Sequence, residues 1–112
     1  MNEKIELLVT EFFNDMKDEF LTDESFDDLL LKRKIKNAIR DVIKIRRYPS
    51  TYTDDYKVDD LYKFYSNIQD IALYDYNKIG AEFQTSHSEN SVSRSWQERE
   101  KLFYGIVPIA DL

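Results

Sequence analysis

The segment SFDDLLLKRKIKNAIRDVIKIRRYP, residues 25–49, decides the fold. Phe26, Leu29, Leu30, Ile35, Ala38, Ile39, Val42 and Ile43 recur at the spacing of one helical face. Asp27 and Asp28 open the segment and Lys44, Arg46 and Arg47 close it, so the charges suit the helix dipole at both ends. Pro49 stops it, because the residue before a proline is driven out of the helical region. The spacing predicts a helix from about residue 24 to 47, with Thr22 or Asp23 able to accept a free backbone N–H at its start.

Upstream, Ile5, Leu8, Val9, Phe12, Phe13, Met16 and Phe20 form one stripe and predict an amphipathic helix over 3–21. Downstream, PSTYTDDYK reads as a loop, and Asp54 or Asp55 is placed to cap a third helix over about 55–79. Its stripe is Leu61, Tyr65, Ile68, Ala72, Tyr76 and Ile79, widened by Phe64 and Ile71. Gly80 stands where a left-handed terminator is wanted.

The stretch GAEFQTSHSENSVSRSW, residues 80–96, breaks this pattern. It holds five of the eight serines and the only histidine, so it is too polar for core. Phe83, Thr85 and His87 alternate with Gln84, Ser86 and Ser88; Val92, Arg94 and Trp96 alternate with Ser91, Ser93 and Ser95. A period of two on either side of Asn90 predicts a short β-hairpin turning near 88–91. Ser95 and Glu98 make a capping box that starts a fourth helix, about 96–104, which Gly105 ends. IVPIADL is then an apolar tail, which either folds back on the core or docks into a neighbouring subunit. The expected fold is all-α: a small bundle of three long helices plus a short C-terminal helix, with a short β-hairpin or extended loop between helices 3 and 4. One domain covers 1–112, with 80–96 as an arm and 105–112 as a tail.

With 112 residues and no cysteine, the chain has no disulfide framework and no thiolate zinc site. No apolar run approaches the roughly 20 residues of a membrane span. The mixed charges of MNEKIELLV are not those of a signal peptide. A net charge of −6 argues against general affinity for nucleic acid, but its distribution is uneven. Residues 1–31 sum to −8, residues 32–47 to +7 and residues 48–112 to −5.

No enzyme is expected. His87 has Ser86, Ser88 and Glu89 beside it, the side-chain types of a triad, but neighbours on a strand point to opposite faces. Asp54, Asp55, Asp59 and Asp60 lack the glycine and bidentate glutamate of a calcium loop and read better as helix-capping charge. No cofactor or metal site is predicted. The basic run includes Lys32, Lys36, Arg40, Lys44 and Arg47. It can be a solvated face paired with the acidic first helix, a contact with an acidic protein neighbour, or a nucleic-acid contact. Tyr56, Tyr62, Tyr65, Tyr74 and Tyr76 are too many for one helix to bury together, so some should face a partner.

YDYNKIGAEFQTSHSENSVSRSW, residues 74–96, resembles the signature of the head–tail connector, or adaptor, proteins of tailed bacteriophages. That family closes its long central helix on a Tyr-Asn-x-x-Gly-Ala-Glu pattern and continues into a Ser/Thr-rich stretch, a short final helix and an apolar tail. The resemblance implies a structural virion protein that forms a ring, usually of twelve copies, beneath the portal. The ring extends the DNA channel, and DNA passes through it without sequence-specific binding. The implied partners are other copies of the chain, the portal protein, and the tail or a further head-completion protein; no membrane is involved. The implied location is the virion neck, and the host cytoplasm before assembly. The implied interface is Glu82, Phe83, Gln84, Thr85, Ser86, His87, Ser88, Glu89, Asn90, Ser91, Arg94 and Trp96 on the arm, with Ile106, Val107, Ile109 and Leu112 on the tail. Two departures stand out. The family has glycine where this chain has Phe83, and Asn-Gly where it has Asn90-Ser91. Serine in that turn costs roughly 1 kcal/mol, so a longer or different turn is expected. The alternative from another class is a small helical regulator that binds nucleic acid through residues 32–47.

Overall fold

A computed structural model describes residues 3–20, 22, 24–82 and 98–109, the last turn at 79–82 by backbone alone. The first helix, α1 (Glu3–Met16), buries Ile5, Leu8, Val9, Phe12, Phe13 and Met16, the stripe expected from its spacing. A 3-10 turn, Lys17–Phe20, follows. It brings Phe20 against Phe26, stacked with centroids 4.7 Å apart, and edge-on to Tyr76 at 5.2 Å.

The central helix, α2 (Asp28–Arg46), starts later than its spacing predicts. Its cap is Asp27, whose carboxylate accepts the Leu30 N–H at 3.0 Å, and not Thr22 or Asp23. The shift has a packing consequence. Leu31, Ile35, Ala38, Ile39 and Val42 are buried, whereas Leu29 is 74% exposed. Three successive leucines cannot themselves reveal which one faces inward. Leu31 does, because it lies four residues before Ile35 on the same face. Replacing Asp27 with alanine should cost about 1 kcal/mol, read as a lower urea midpoint at unchanged slope, and Asp27→Asn should cost less. At its other end α2 closes on Arg47 in the left-handed region (φ 51°), whose N–H donates to the Ile43 carbonyl at 3.2 Å.

The expected third helix is two helices. α3 (Asp54–Tyr62) is capped by Thr53, which accepts from the Tyr56 N–H at 3.3 Å, rather than by Asp54 or Asp55. α4 (Tyr65–Glu82) begins after a break at Lys63 and Phe64. There the amides of Lys63 and Phe64 bond back three residues, to Asp60 and Leu61, and tighten the turn. No proline or glycine marks the place; tertiary contacts do. Phe12 of α1 holds an aromatic edge on either side of it, Tyr62 at 6.0 Å and Tyr65 at 4.8 Å. Beyond the break, Ile68, Ile71 and Ala72 join Leu61 in the core.

Gly80 does not end α4. The helix runs through it to Glu82, since a glycine inside a helix costs only about 1 kcal/mol and Ala81 and Glu82 both favour helix. An arm beginning at residue 80 is corrected accordingly: 80–82 are helical. The expected hairpin, with its turn at 88–91, and the Ser95 cap lie outside the described residues. Among the described residues there is no strand. Of the predicted fourth helix, 98–101 form one helical turn, and Leu102, Phe103 and Tyr104 continue it with bonds to the third carbonyl back. Gly105 ends this segment at φ 90°, a left-handed conformation suited to glycine. Ile106 then turns inward and is 7% exposed within the same core as α1, α2 and α4.

Candidate assembly surfaces

Two arginines fix the C-terminal segment to the bundle. Arg46, the last residue of α2, donates from Nε and Nη2 to both carboxylate oxygens of Asp60, each at 2.8 Å. Tyr48 donates its hydroxyl to the same carboxylate at 2.7 Å, and Lys63 Nζ stands 3.8 Å away. Asp60 is the one charged residue buried among those described, at 6% exposure. Burial opposes its ionisation, but the bonds from Arg46 and Tyr48 outweigh that and hold its carboxyl below the usual range. Arg46 also reaches the tail: Nη1 donates to the Val107 carbonyl at 2.9 Å, and the Ile109 N–H donates to the Arg46 carbonyl at 2.8 Å.

Arg99 is the second clamp. It donates from Nε and Nη2 to both oxygens of Asp75 on α4 and from Nη2 to Asp41 on α2, all at 2.9 Å. Its guanidinium lies 5.2 Å from the Phe103 ring centre. Asn67 adds a donor to the Leu102 carbonyl at 2.9 Å. Asp75 precedes Glu82 by two helical turns, so Arg99 pins the 98–106 segment to the C-terminal half of α4.

The predicted interface residues fall unevenly. Glu82 ends α4, with its side chain outside what is described. Phe83, Gln84, Thr85, Ser86, His87, Ser88, Glu89, Asn90, Ser91, Arg94, Trp96 and Leu112 lie outside the described residues. On the tail, Ile106 is core, Ile109 is half-buried and Val107 is 58% exposed, so 106–109 fold back on the bundle. The basic residues also divide. Lys32 lies 4.6 Å from the centre of the Phe13 ring, and Lys36 pairs with Glu6 at 2.5 Å. Arg40, Lys44 and Arg47 are exposed. The clamps themselves carry no signature in the sequence: Arg46 and Asp60 are 14 positions apart, Arg99 and Asp41 58 apart.

The tyrosines part company too. Tyr65 donates to Asp15 at 2.7 Å, Tyr62 donates to Glu11, and the Tyr76 hydroxyl accepts the Asp27 N–H at 3.1 Å. Tyr56 is 65% exposed and stands with its ring 5.9 Å from Tyr52. The Glu11 carboxylate pushes the Tyr62 phenol up to about 12, and burial together with the Asp60 bond raises Tyr48 still further. Folded-state pKa values above the unfolded value of about 10 mean that the unfolded chain loses these protons first. The tyrosine contribution to stability should therefore be intact below pH 10 and fall as pH rises beyond it. Urea midpoints between pH 9 and 11.5 should show this, and Tyr48→Phe should flatten the decline.

Among the described residues no cluster of acidic or histidine side chains could hold a metal, and no helix is long and apolar enough to cross a membrane. The family model for phage gp6-like head-tail connector proteins matches residues 4–111, nearly the whole chain. Neither the curated proteins nor the solved structures give a match. The chain belongs to the phage gp6-like head-tail connector family, a structural and non-enzymatic one, and its role is that of a phage connector.

Proposed function

We propose that the chain is a subunit of the virion neck that assembles with copies of itself into a ring below the portal and links the DNA-filled head to the tail. The observation that carries this reading is the family match over residues 4–111. The doubly clamped bundle supports it. A connector must present an arm without losing its own fold, and here Arg99 and Arg46 hold the chain immediately after the 83–97 segment. In this reading the serine-rich arm exchanges water for hydrogen bonds on the portal, the tail or a neighbouring copy, while exposing no large apolar patch beforehand. Val107, exposed on the C-terminal segment, extends this surface. The protein waits in the host cytoplasm until packaged heads are ready, and DNA crosses the ring without base-specific contact.

Removing the chain's coding sequence from its phage tests this. Micrographs of the lysate should show filled or leaking heads and separate, complete tails, and supply of the chain in trans should restore joined particles. Normal joining without the chain would refute the reading.

A further inference from the structure

Two surfaces are left unmatched within the subunit. The first is the outer side of α2. Leu29, Arg33, Arg40, Lys44 and Arg47 sit at i, i+4, i+11, i+15 and i+18, which confines them to roughly 60° of the helix, opposite the buried stripe. All five are exposed. None of the four cations makes an ion pair among the described residues. Other cations of the helix are engaged, Lys32 over Phe13, Lys36 with Glu6 and Arg46 with Asp60.

The second surface is a groove of about 290 Å³ between α1 and α3, in which each helix contributes positions i, i+3, i+4 and i+7. Buried Leu8 and half-buried Val58 give it an apolar floor, and Leu7, 65% exposed, and Tyr62, 41% exposed, add apolar surface beside them. Lys4 is neutralised by Asp55. Glu11 and Asp59 remain as excess negative charge on its walls. A basic stripe with an exposed leucine at one end thus has an acidic, leucine-floored counterpart elsewhere on the same chain.

We infer that the Leu29–Arg47 stripe of one copy docks into the acidic α1–α3 groove of the next. The contact joins two different patches, so it is heterologous and propagates head to tail, as closure into a ring requires. The inference rests on the connector reading and deepens it by naming the surfaces that meet. Duplex DNA is the competing occupant of the stripe. It is disfavoured because the chain carries a net charge of −6, and its acidic α1 packs directly on α2, within the screening length of roughly 8–10 Å. The same acidic surface that repels phosphate attracts the stripe of a neighbour.

Charge exchange tests the pairing. In R33E/R40E/K44E three glutamates outweigh Arg47 and both patches are acidic; in E11K/D59K both are basic. Sedimentation velocity at low ionic strength should show the unaltered chain associating with rising concentration. Each variant alone should associate at least about a hundredfold more weakly, at unchanged helical content, because like charges face each other. An equimolar mixture should recover association, since every contact in an alternating array is again between opposite charges. An unaltered chain that stays monomeric up to millimolar concentration overturns the inference. So does a mixture that fails to recover. Duplex binding that R33E/R40E/K44E abolishes while self-association persists gives the stripe to DNA and overturns it as well. If removal of the chain blocks head–tail joining while the charge exchange fails, the surface assignment falls and the connector reading stands. If removal leaves joining intact, the connector reading itself falls.

Discussion

Asp60→Ala should destabilise the protein by about 3–5 kcal/mol, the range expected when one partner of a buried pair is deleted. The guanidinium of Arg46, with its side chain only 15% exposed, would be left facing a cavity without its bidentate acceptor. Tyr48 would lose its acceptor at the same time. A protein of this size holds about 5–15 kcal/mol in total, so the loss is a large share of it. Thermal unfolding should drop by well over 10 °C, at roughly 4 °C or more per kcal/mol. Asp60→Asn keeps an acceptor and should be milder. The pH dependence gives an independent check. Asp60 has its folded pKa depressed below the unfolded value of about 4, so its contribution is present above pH 4 and lost as pH falls through the folded pKa. The acid limb of the stability profile should flatten in Asp60→Ala. An alanine variant with an unchanged melting point and acid limb would show that the Arg46–Asp60 pair does not hold α2 to α3.

Arg99→Ala should have the next largest effect, about 3 kcal/mol, and a more local one. The substitution strands Asp75, 14% exposed, without its bidentate donor and releases Asp41 as well. The two carboxylates hold the Arg99 charge firmly, Asp75 first, raising a pKa that is already high, so the guanidinium stays charged in any ordinary buffer. Loss of the side chain should appear first as faster amide exchange at Leu102, Phe103 and Ile106, whose N–H groups bond within the 99–106 segment. The core amides of α2 should change less. Arg99→Lys keeps one charge but not the planar fork that serves two carboxylates, and should fall between. In the phage, Arg99→Ala should lower the yield of joined particles more than Asp27→Ala does. Equal exchange at 102–106 in both chains would show that Arg99 is ornamental.

Much of the fold was legible because helical amphipathicity is a local signal. The stripes of α1 and of the Ile35–Val42 part of α2 follow from a repeat of 3.6 residues, which needs no knowledge of what lies opposite. The places where reading failed share one cause. Leu29 against Leu31, the break at Lys63–Phe64, and the passage of α4 through Gly80 are each decided by a partner distant in sequence or by small differences in propensity. The basic run illustrates the same limit. Its composition shows eight cations, but only folding reveals that Lys32, Lys36 and Arg46 have close partners while Arg33, Arg40, Lys44 and Arg47 make no ion pair among the described residues.

The sequence by itself determined the helical class of the bundle, its charge blocks and the family resemblance of residues 74–96, because period, net charge and short motifs are properties of neighbours along the chain. The tertiary structure alone decided which arginines are clamps, that Ile106 belongs to the core, and that a basic stripe and an acidic groove remain open on different helices. A carboxylate accepts a guanidinium 14 or 58 residues away only when folding brings the two within 3 Å, and no local pattern records that distance.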